Sequence, residues 1–299
     1  MGNPAAFSSR ICAEYTMQKI IIIACFLLVI LFIAPGNASP GAFHPEISPG
    51  RVGQGDVFLV RITNVKSGRQ PSAVMDGQEL NLAGCGEGCY VALGAADIQM
   101  RPGPHYVKVR VGTQKKSLRL IVKKVRFPVL NVTLPEDQVI LSPENFKRAE
   151  KERKRLQEIF RTVSARMWEG SFRKPLESEY STPFGVRRNM NGKWVSIHRG
   201  VDMKGKTGEE IKASNRGKVV LNEDLFFGGR TIILDHGQGV FTIYMHLSEA
   251  LVKPEDMVSK GAVIGLVGSS GRATGPHLHF GVKVMDLSVN PVSLIKLKL

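Results

Sequence analysis

The sequence predicts a mainly β protein in which two β-rich regions are joined by one connecting helix. Short apolar runs alternate with glycine-rich turns from residue 39 to residue 127 and again from residue 171 to residue 299. Runs of this length between turns are typical of strands in antiparallel sheets. The pattern expected of a helix lies between the two regions. A chain of 299 residues is long enough for two modest domains and this connector.

The first 38 residues have the pattern of an export signal. An uninterrupted apolar run covers residues 20–34, with Lys19 before it and the small residues Gly36 and Ala38 after it. This order is typical of a secretory signal peptide, and the run falls short of the roughly 20 residues that span a bilayer comfortably. We therefore expect residues 1–38 to be a signal peptide and the protein to be exported to the periplasm or cell envelope. An uncleaved membrane anchor over residues 20–34 is the alternative.

The sequence pattern of residues 39–127 predicts a small immunoglobulin-like β module. Strand-like runs cover residues 57–62, 106–111 and 117–122, and the second and third alternate with basic residues on the solvent side. Short strands separated by glycine-rich turns suit a sandwich of this type. Cys85 and Cys89 close a short loop, and in an exported protein we expect them to form a disulfide. The module carries no catalytic constellation, so a binding or spacer role is expected.

Residues 128–170 predict a linker that contains a basic helix. Ser142 is placed to cap the helix and Pro143 to occupy its first turn. One apolar stripe comprises Phe146, Ala149, Leu156, Phe160, Val163 and Met167. Lysine and arginine line much of the remaining surface. A solvated face with supporting pairs such as Glu150 and Lys154 is the favoured interpretation, and contact with an anionic envelope polymer is the alternative.

The overall charge favours an anionic partner. The net charge is +15 and the isoelectric point is near 9.8. The candidates are nucleic acid, an acidic membrane surface and an anionic cell-wall polymer. The sequence has no arginine-rich recognition helix or aromatic RNA-binding signature, so we expect no nucleic acid. Membrane contact is expected only if the N-terminal segment is uncleaved, which leaves anionic envelope polymers as candidate partners of the basic surface.

Two histidines, His277 and His279, stand two residues apart near the C-terminus. On a strand, the period of two places both imidazoles on one face and directs Leu278 and Phe280 to the other face, into a core. This arrangement suits a metal-centred cleft. The alternative is a surface strand that merely carries histidines, and the pattern alone leaves both open.

Three further polar residues extend this pattern. His198 and Asp202 are four residues apart, but Gly200 and Val201 between them disfavour a helix. We expect His198 to end a loop and Asp202 to lie on the strand that follows. His246 is expected at the end of a strand. Imidazole and carboxylate ligands suit zinc, and three protein ligands with one open position describe a catalytic zinc site. Two of the four histidines would then be free for proton transfer or for stabilising an oxyanion.

Four segments, in their order and spacing, indicate a known family. They are Phe184-Gly185-Val186-Arg187, His198-x-x-x-Asp202, Tyr244-x-His246-Leu247 and Gly271-x-x-Thr274-Gly275-Pro276-His277-Leu278-His279-Phe280. Together they closely resemble the lysostaphin/LytM-type zinc endopeptidases, which cut peptide cross-links in peptidoglycan. The resemblance covers about residues 171–296 and implies an antiparallel β catalytic domain with a zinc groove over residues 171–299. No single segment would be specific.

The resemblance also implies roles for individual residues. His198, Asp202 and His279 would bind one zinc ion. His246 and His277 would form the catalytic pair that handles protons and stabilises the tetrahedral intermediate; which of them abstracts the proton is left open. The alternative is that His277 and His279 both bind the metal and Asp202 only supports them.

Two other sites complete this comparison. His236 is interpreted as a turn residue and is given no role. Near Gly228-Gly229 the family often continues with a small residue and Asn, where this chain has Arg230-Thr231. This departure concerns substrate preference rather than the zinc site.

The resemblance implies a zinc metalloendopeptidase that hydrolyses cross-links or stem peptides of bacterial peptidoglycan through a metal-activated water. The alternative is a catalytically silent module of the same fold that binds the cell wall and regulates another wall hydrolase. Because all five implied site positions are kept, the enzyme is favoured. A basic envelope-binding protein with purely structural histidines is a third hypothesis.

Overall fold

A computed structural model describes residues 42–133, 141–192 and 194–299. The predicted signal segment lies outside the described residues. Phe43–Leu299 form one compact unit. None of the helices in the described part of the chain has the length and apolar character that crossing a bilayer requires.

The first region is a sandwich of two sheets. Its strands are β1 (His44–Ser48), β2 (Arg51–Gly53), β3 (Val57–Thr63), β4 (Pro71–Met75), β5 (Gln78–Glu79), β6 (Ala83–Gly86), β7 (Cys89–Ala95), β8 (Gly103–Val111) and β9 (Gln114–Lys123). The first sheet has the order β1-β3-β7-β6 and the second the order β2-β9-β8-β4-β5. Apolar side chains from both sheets, among them Phe58, Val60, Val107 and Leu120, form a shared core. The predicted immunoglobulin-like β module is therefore confirmed as a fold class.

Strand β3 explains why one predicted run lacks alternation. Phe58 and Val60 face the second sheet, whereas Val57 and Leu59 belong to the core that contains Phe184 and the C-terminal region. Because both faces of β3 are covered, its residues read as a continuous apolar run. Side chains of the two β regions are thus packed in a common core. The domain boundaries at residues 127 and 171 remain predictions.

The cysteine pair of this region behaves as expected. Cys85 and Cys89 are joined by a disulfide, with their Cα atoms 5.1 Å apart. The bridge joins the neighbouring strands β6 and β7. The predicted disulfide is confirmed.

Helix α1 (Pro143–Phe160) is the predicted connecting helix. The Ser142 hydroxyl accepts a hydrogen bond from the Asn145 N–H at 3.2 Å, as expected of an N-cap. The predicted apolar stripe is partly wrong: Phe146 and Val163 are 59% and 58% exposed, and Phe160 is buried. The helix ends at Phe160, so Val163 lies beyond it, and packing against the C-terminal sheet is concentrated at this last turn.

The remaining strands belong to the C-terminal region and its connector. They are β10 (Val129–Val132), β11 (Tyr180–Thr182), β12 (Arg187–Met190), β13 (Trp194–Ile197), β14 (Gly200–Lys204), β15 (Glu210–Lys212), β16 (Gly217–Leu225), β17 (Gly229–Asp235), β18 (Val240–Ala250), β19 (Met257–Val258), β20 (Val263–Val267), β21 (His277–Val284) and β22 (Leu287–Val289). A short helix, α2 (Pro291–Lys296), follows.

The main sheet of this region has the order β11-β14-β21-β18-β17-β16-β19, and β15, β20 and β22 pair beside this path. All of its strand pairs are antiparallel, as predicted. A separate hairpin of β12 and β13 pairs in parallel with β10. The centre of the main sheet is formed by β14, β21 and β18, which carry Asp202, the pair His277 and His279, and His246 respectively.

Candidate metal centre

Strand β21 presents its two faces as the sequence predicts. Leu278 and Phe280 are fully buried in the core. His277 and His279 therefore point to the opposite face of the sheet. Across the ladder Asp202 pairs directly with His279, which brings the carboxylate and the imidazole to the same face.

His198 reaches this face from the loop before β14. Its Nδ1–H donates a hydrogen bond to the Pro183 carbonyl at 2.8 Å, which turns Nε2 towards Asp202. The loop itself is fixed because the His198 N–H donates to the Val186 carbonyl at 2.8 Å. The predicted loop position of His198 and the strand position of Asp202 are both as expected.

Three ligand atoms converge at this point. The His198 Nε2 lies 2.9 Å from the Asp202 Oδ1 and 3.0 Å from the His279 Nδ1, and the latter two atoms are 2.8 Å apart. Within the described residues these side chains form a group that could hold one metal ion. The structure thus brings the three predicted ligands together. His277 lies beside the group, with Nε2 3.8 Å from the Asp202 Oδ1.

The hydrogen bonding of His198 provides a test of whether a metal fits. Its Nδ1 must carry the proton because it faces a carbonyl oxygen. In neutral His198, Nε2 then presents a lone pair to a carboxylate oxygen and to a second imidazole nitrogen. Such a convergence is repulsive unless a proton or a metal cation lies between the atoms, and only a metal ion can be bound by all three atoms at once. Two nitrogens, one oxygen and an open fourth position are the donor set of a catalytic zinc site.

The titration of the group agrees with this test. Burial alone would raise the pKa of Asp202, but the hydrogen bonds with His198 and His279 outweigh it and hold the pKa well below its usual range. Burial lowers the pKa of His279, while its hydrogen bond with Asp202 opposes that change. A carboxylate and neutral imidazoles are the protonation states in which these side chains bind metals.

His246 lies on β18 in an unusual backbone conformation. Its φ is 66°, in the left-handed region that residues other than glycine rarely adopt. The sequence predicts His246 at the end of a strand, but β18 continues to Ala250, and its pairing with β17 is irregular between Tyr244 and Leu247. The His246 N–H donates to the Gly228 carbonyl at 2.8 Å, which holds this conformation. Strain of this kind costs roughly 1–3 kcal/mol and is concentrated at functional sites.

His246 and His277 form a pair beside the ligand group. Their ring centroids are 4.8 Å apart, and the His246 ring is 6.1 Å from that of His279. The Nδ1–H of His246 donates to the Ser270 carbonyl at 2.9 Å, and that of His277 donates to the Gly275 carbonyl at 2.8 Å. In each ring Nε2 is therefore the nitrogen that is left to face the cleft. Burial lowers the pKa of His246 to about 4, so this ring is a neutral base near pH 7.

Arg188 is a site residue that sequence reasoning missed. It lies on β12, and its Nη2 is 3.5 Å from the Asp202 Oδ2, the oxygen that does not face the ligand group. The family-like segment that ends at Arg187 stops one residue short of it. The approach of a separate hairpin to β14 is a long-range contact, and no local spacing encodes it.

The departure at Arg230-Thr231 lies next to the His246 support. The Arg230 backbone N–H donates to the Ser270 hydroxyl at 2.9 Å, and the Arg230 side chain donates to the Ser248 carbonyl at 3.0 Å. Ser270 is the residue whose carbonyl holds His246. Thr231 is fully buried.

His236 proves to be a core residue rather than a simple turn residue. It is fully buried, its Nδ1–H donates to the Arg216 carbonyl at 2.8 Å, and its Nε2 accepts from the Thr242 hydroxyl at 2.7 Å. Both ring nitrogens are satisfied by partners in the core.

Comparison with known proteins assigns this fold and site to a class. Residues 196–291 match the model of peptidase family M23. A crystal structure from Pseudomonas aeruginosa that is assigned to peptidase M23 is 31% identical, covers 81% of this chain and 94% of that chain, and superposes with a TM-score of 0.63. The chain therefore belongs to peptidase family M23, and the predicted relationship is confirmed at this level.

Two curated relatives match part of this chain. The DD-carboxypeptidase/endopeptidase Mpg of Neisseria meningitidis serogroup B is 39% identical over 114 residues, which are 38% of this chain and 26% of that protein. The peptidoglycan DD-endopeptidase ShyA of Vibrio cholerae is 38% identical over 121 residues, which are 40% of this chain and 28% of that protein. The matches thus span about a quarter of the length of these relatives.

Proposed function

We propose that this protein is a zinc-dependent endopeptidase that hydrolyses peptide cross-links or stem peptides of bacterial peptidoglycan. The observation that carries the proposal is the convergence of His198, Asp202 and His279 beside the paired rings of His246 and His277. The substrate class is supported by the name of the V. cholerae relative, a peptidoglycan DD-endopeptidase.

His198, Asp202 and His279 would hold one zinc ion. A zinc ion in such a site polarises the scissile carbonyl and lowers the pKa of a bound water towards about 7. Arg188 is a positioning residue in this proposal. By engaging the Asp202 Oδ2 it directs the Oδ1 towards the two imidazoles.

His246 is the proposed proton carrier. Its free Nε2 accepts the proton of the attacking water while the water oxygen forms a bond to the carbonyl carbon. The same proton then passes to the amide nitrogen as the carbon–nitrogen bond breaks, which leaves a free amine and a carboxylic acid, and the acid then loses its own proton to solvent. The lowered pKa of His246 suits this cycle, because the ring begins neutral and readily releases the proton it has taken up.

His277 is the proposed stabiliser of the oxyanion. Its Nδ1–H is used by the Gly275 carbonyl, so only Nε2 faces the cleft. A protonated Nε2–H, 3.8 Å from the negatively charged Asp202, would donate to the oxygen that gains charge as the carbonyl is attacked.

The location and domain limits belong to the same proposal. We place the protein in the cell envelope, with residues 1–38 as its export signal or anchor. The envelope location is supported by the peptidoglycan-acting relative. Residues 39–127, 128–170 and 171–299 are the proposed module, linker and catalytic domain.

Digestion of defined, purified muropeptides tests the function. Zinc-loaded protein is expected to release products that mass spectrometry identifies, and a chelator is expected to stop the reaction until zinc is restored. Activity that persists without metal would overturn the zinc mechanism. Zinc-loaded, folded protein that leaves every cross-linked muropeptide intact would instead favour the silent wall-binding regulator.

A further inference from the structure

The outer face of the second N-terminal sheet carries exposed cations that form no ion pair with any described residue. We call this surface the basic face. Its exposed cations, carried by β2, β8 and β9, are Arg51, Lys108, Arg110, Lys115, Arg119 and Lys123. No described carboxylate lies within 4.0 Å of any of these side chains.

Strand alternation places these cations on one side. Val107, Val109 and Val111 of β8 are buried against the other sheet, so the residues between them face outwards. In the ladder Arg110 stands directly opposite Lys115. Like charges in directly opposed positions destabilise a sheet. Folding alone therefore gives no reason for this pairing.

The basic helix differs from this sheet in its charge pairing. On α1, Arg148 contacts Glu152 at 2.8 Å and Arg153 contacts Glu150 at 2.9 Å. Arg155 reaches Glu223 at 2.5 Å. The arginines of the helix are thus neutralised within the chain. The helix lysines share their element with four glutamates, whereas on the sheet Glu79 at the far strand β5 is the one carboxylate among the described outward positions.

The shape of the basic face suits an extended anion. Along β9 the cations from Lys115 to Lys123 span about 27 Å, and the three strands together are about 10 Å wide. Exposed Tyr106 lies opposite Arg119 near the middle. Membrane-surface elements combine cations with apolar side chains that insert. Tyr106 is the one large exposed apolar side chain among the described residues of this face, so a polymer is favoured over a bilayer.

We propose that the basic face binds peptidoglycan through the carboxylates of its stem peptides, independently of the metal centre. The identity of the polymer rests on the proposed function. The first sheet of the module packs against the C-terminal region, whereas the basic face is turned away from the module core and remains exposed. It would hold the enzyme on its insoluble substrate while the cleft acts on individual peptides.

Binding to purified sacculi in the presence of chelator tests this proposal without turnover. The variant Lys108→Gln/Lys115→Gln/Arg119→Gln is expected to bind sacculi about tenfold more weakly than the unaltered protein at low salt, because three exposed ion pairs with the polymer are lost. The matched control is Lys147→Gln/Lys151→Gln/Lys154→Gln, which removes the same charge from α1. It is expected to bind normally, and carboxyl-amidated sacculi are expected to bind neither protein nor variant.

The outcomes are separable. Equal weakening by both triple variants would show that net charge matters rather than this face, and would overturn the proposal. So would a sheet variant that loses binding to anionic phospholipid vesicles but keeps its binding to sacculi. Zinc-loaded protein and both variants are expected to cleave soluble muropeptides equally. If none cleaves them but sacculus binding follows the expected pattern, the proposed function fails and the binding face stands.

Discussion

The buried histidines of the metal centre and the buried His236 differ in how their second nitrogen is satisfied. In both places one Nδ1–H donates to a carbonyl at 2.8 Å, that of Pro183 for His198 and that of Arg216 for His236. The Nε2 of His236 then meets a hydroxyl donor, whereas the Nε2 of His198 meets a carboxylate oxygen and another ring nitrogen. The polar atoms around His236 are complementary to its ring, whereas those around the Nε2 of His198 are suited to binding a cation.

This difference separates structural from metal-binding histidines better than burial does. His198 is 7% exposed and His236 is fully buried, so the exposed fraction alone does not show which of the two binds a metal. The decisive feature is whether the partners of the ring are complementary. A neutral ring between a carbonyl and a hydroxyl is satisfied, whereas converging lone pairs indicate a site for a positive charge.

The largest effect is expected when one ligand of the metal centre is removed. His279→Ala removes one of three ligands, so we expect loss of the bound zinc and of muropeptide cleavage. Metal analysis after dialysis is expected to give about one zinc per chain for the unaltered protein and almost none for the variant. His236→Gln serves as the control and is expected to keep its zinc. Full zinc content in folded His279→Ala would contradict the ligand assignment.

The next effect separates the proton carrier from the ligands. His246→Ala is expected to retain zinc but to cleave muropeptides about 10²–10⁴-fold more slowly, the usual range for a lost general base. Metal content and single-substrate turnover are measured on the same preparation. Normal turnover would remove the proposed role of His246, and loss of zinc would reassign it to the ligand set.

A third effect acts through the backbone beside the ligands. A Cβ added at Gly200 would lie 2.6 Å from both the His279 Nε2 and the Phe280 carbonyl oxygen. Since that oxygen belongs to the central ladder, we expect Gly200→Ala to destabilise the protein by about 1–3 kcal/mol and to weaken zinc binding. Urea unfolding and chelator competition measure the two effects.

Gly275 provides the matched control for Gly200. It lies close to His277 in sequence, but a Cβ there would meet nothing within 4 Å. Gly275→Ala is therefore expected to be nearly neutral in both measurements. Equal losses in the two variants would show that close packing against His279 is not the cause.

The parts of the site that were predictable depend on local periodicity. The two faces of β21 follow from the alternation of polar and apolar residues from His277 to Phe280. Gly200, two residues before Asp202, disfavours a helix at that point. The proposed ligands could be identified because they lie in short sequence segments whose order and spacing resemble those of a known family. In strand β3 alternation gives no such information. Both of its faces are buried, so its sequence does not show which residues point to which core.

The unpredicted features depend on long-range contacts. The conformation of His246 is held by the Gly228 carbonyl on a neighbouring turn, and Arg188 reaches Asp202 from a separate hairpin. The exposure of Phe146 follows from where α1 meets the sheet, which its own periodicity does not encode. In each case the deciding partner is distant in the sequence.

The last expected effect is a pH-dependent change in folding stability that arises from the buried ring of His236. Burial lowers the pKa of His236 to about 4, below its usual value of about 6.5, while the hydrogen bond to Arg216 opposes the change. Above pH 6.5 both folded and unfolded chains hold this ring neutral, and its contribution is fully present. As the pH falls, the unfolded chain takes up a proton first. By pH 5 this linkage should have removed about 2 kcal/mol of stability.

His236→Gln isolates this contribution, because glutamine does not titrate. Unfolding free energies are measured by urea titration at pH 7 and pH 5, with chelator present so that ligand protonation does not couple to metal release. The loss of stability on acidification is expected to be about 2 kcal/mol smaller in the variant. A constant destabilisation of the variant cancels in this difference. Identical losses in both proteins would mean that the folded core accepts the proton as readily as water does, which would contradict the complementary environment assigned to His236.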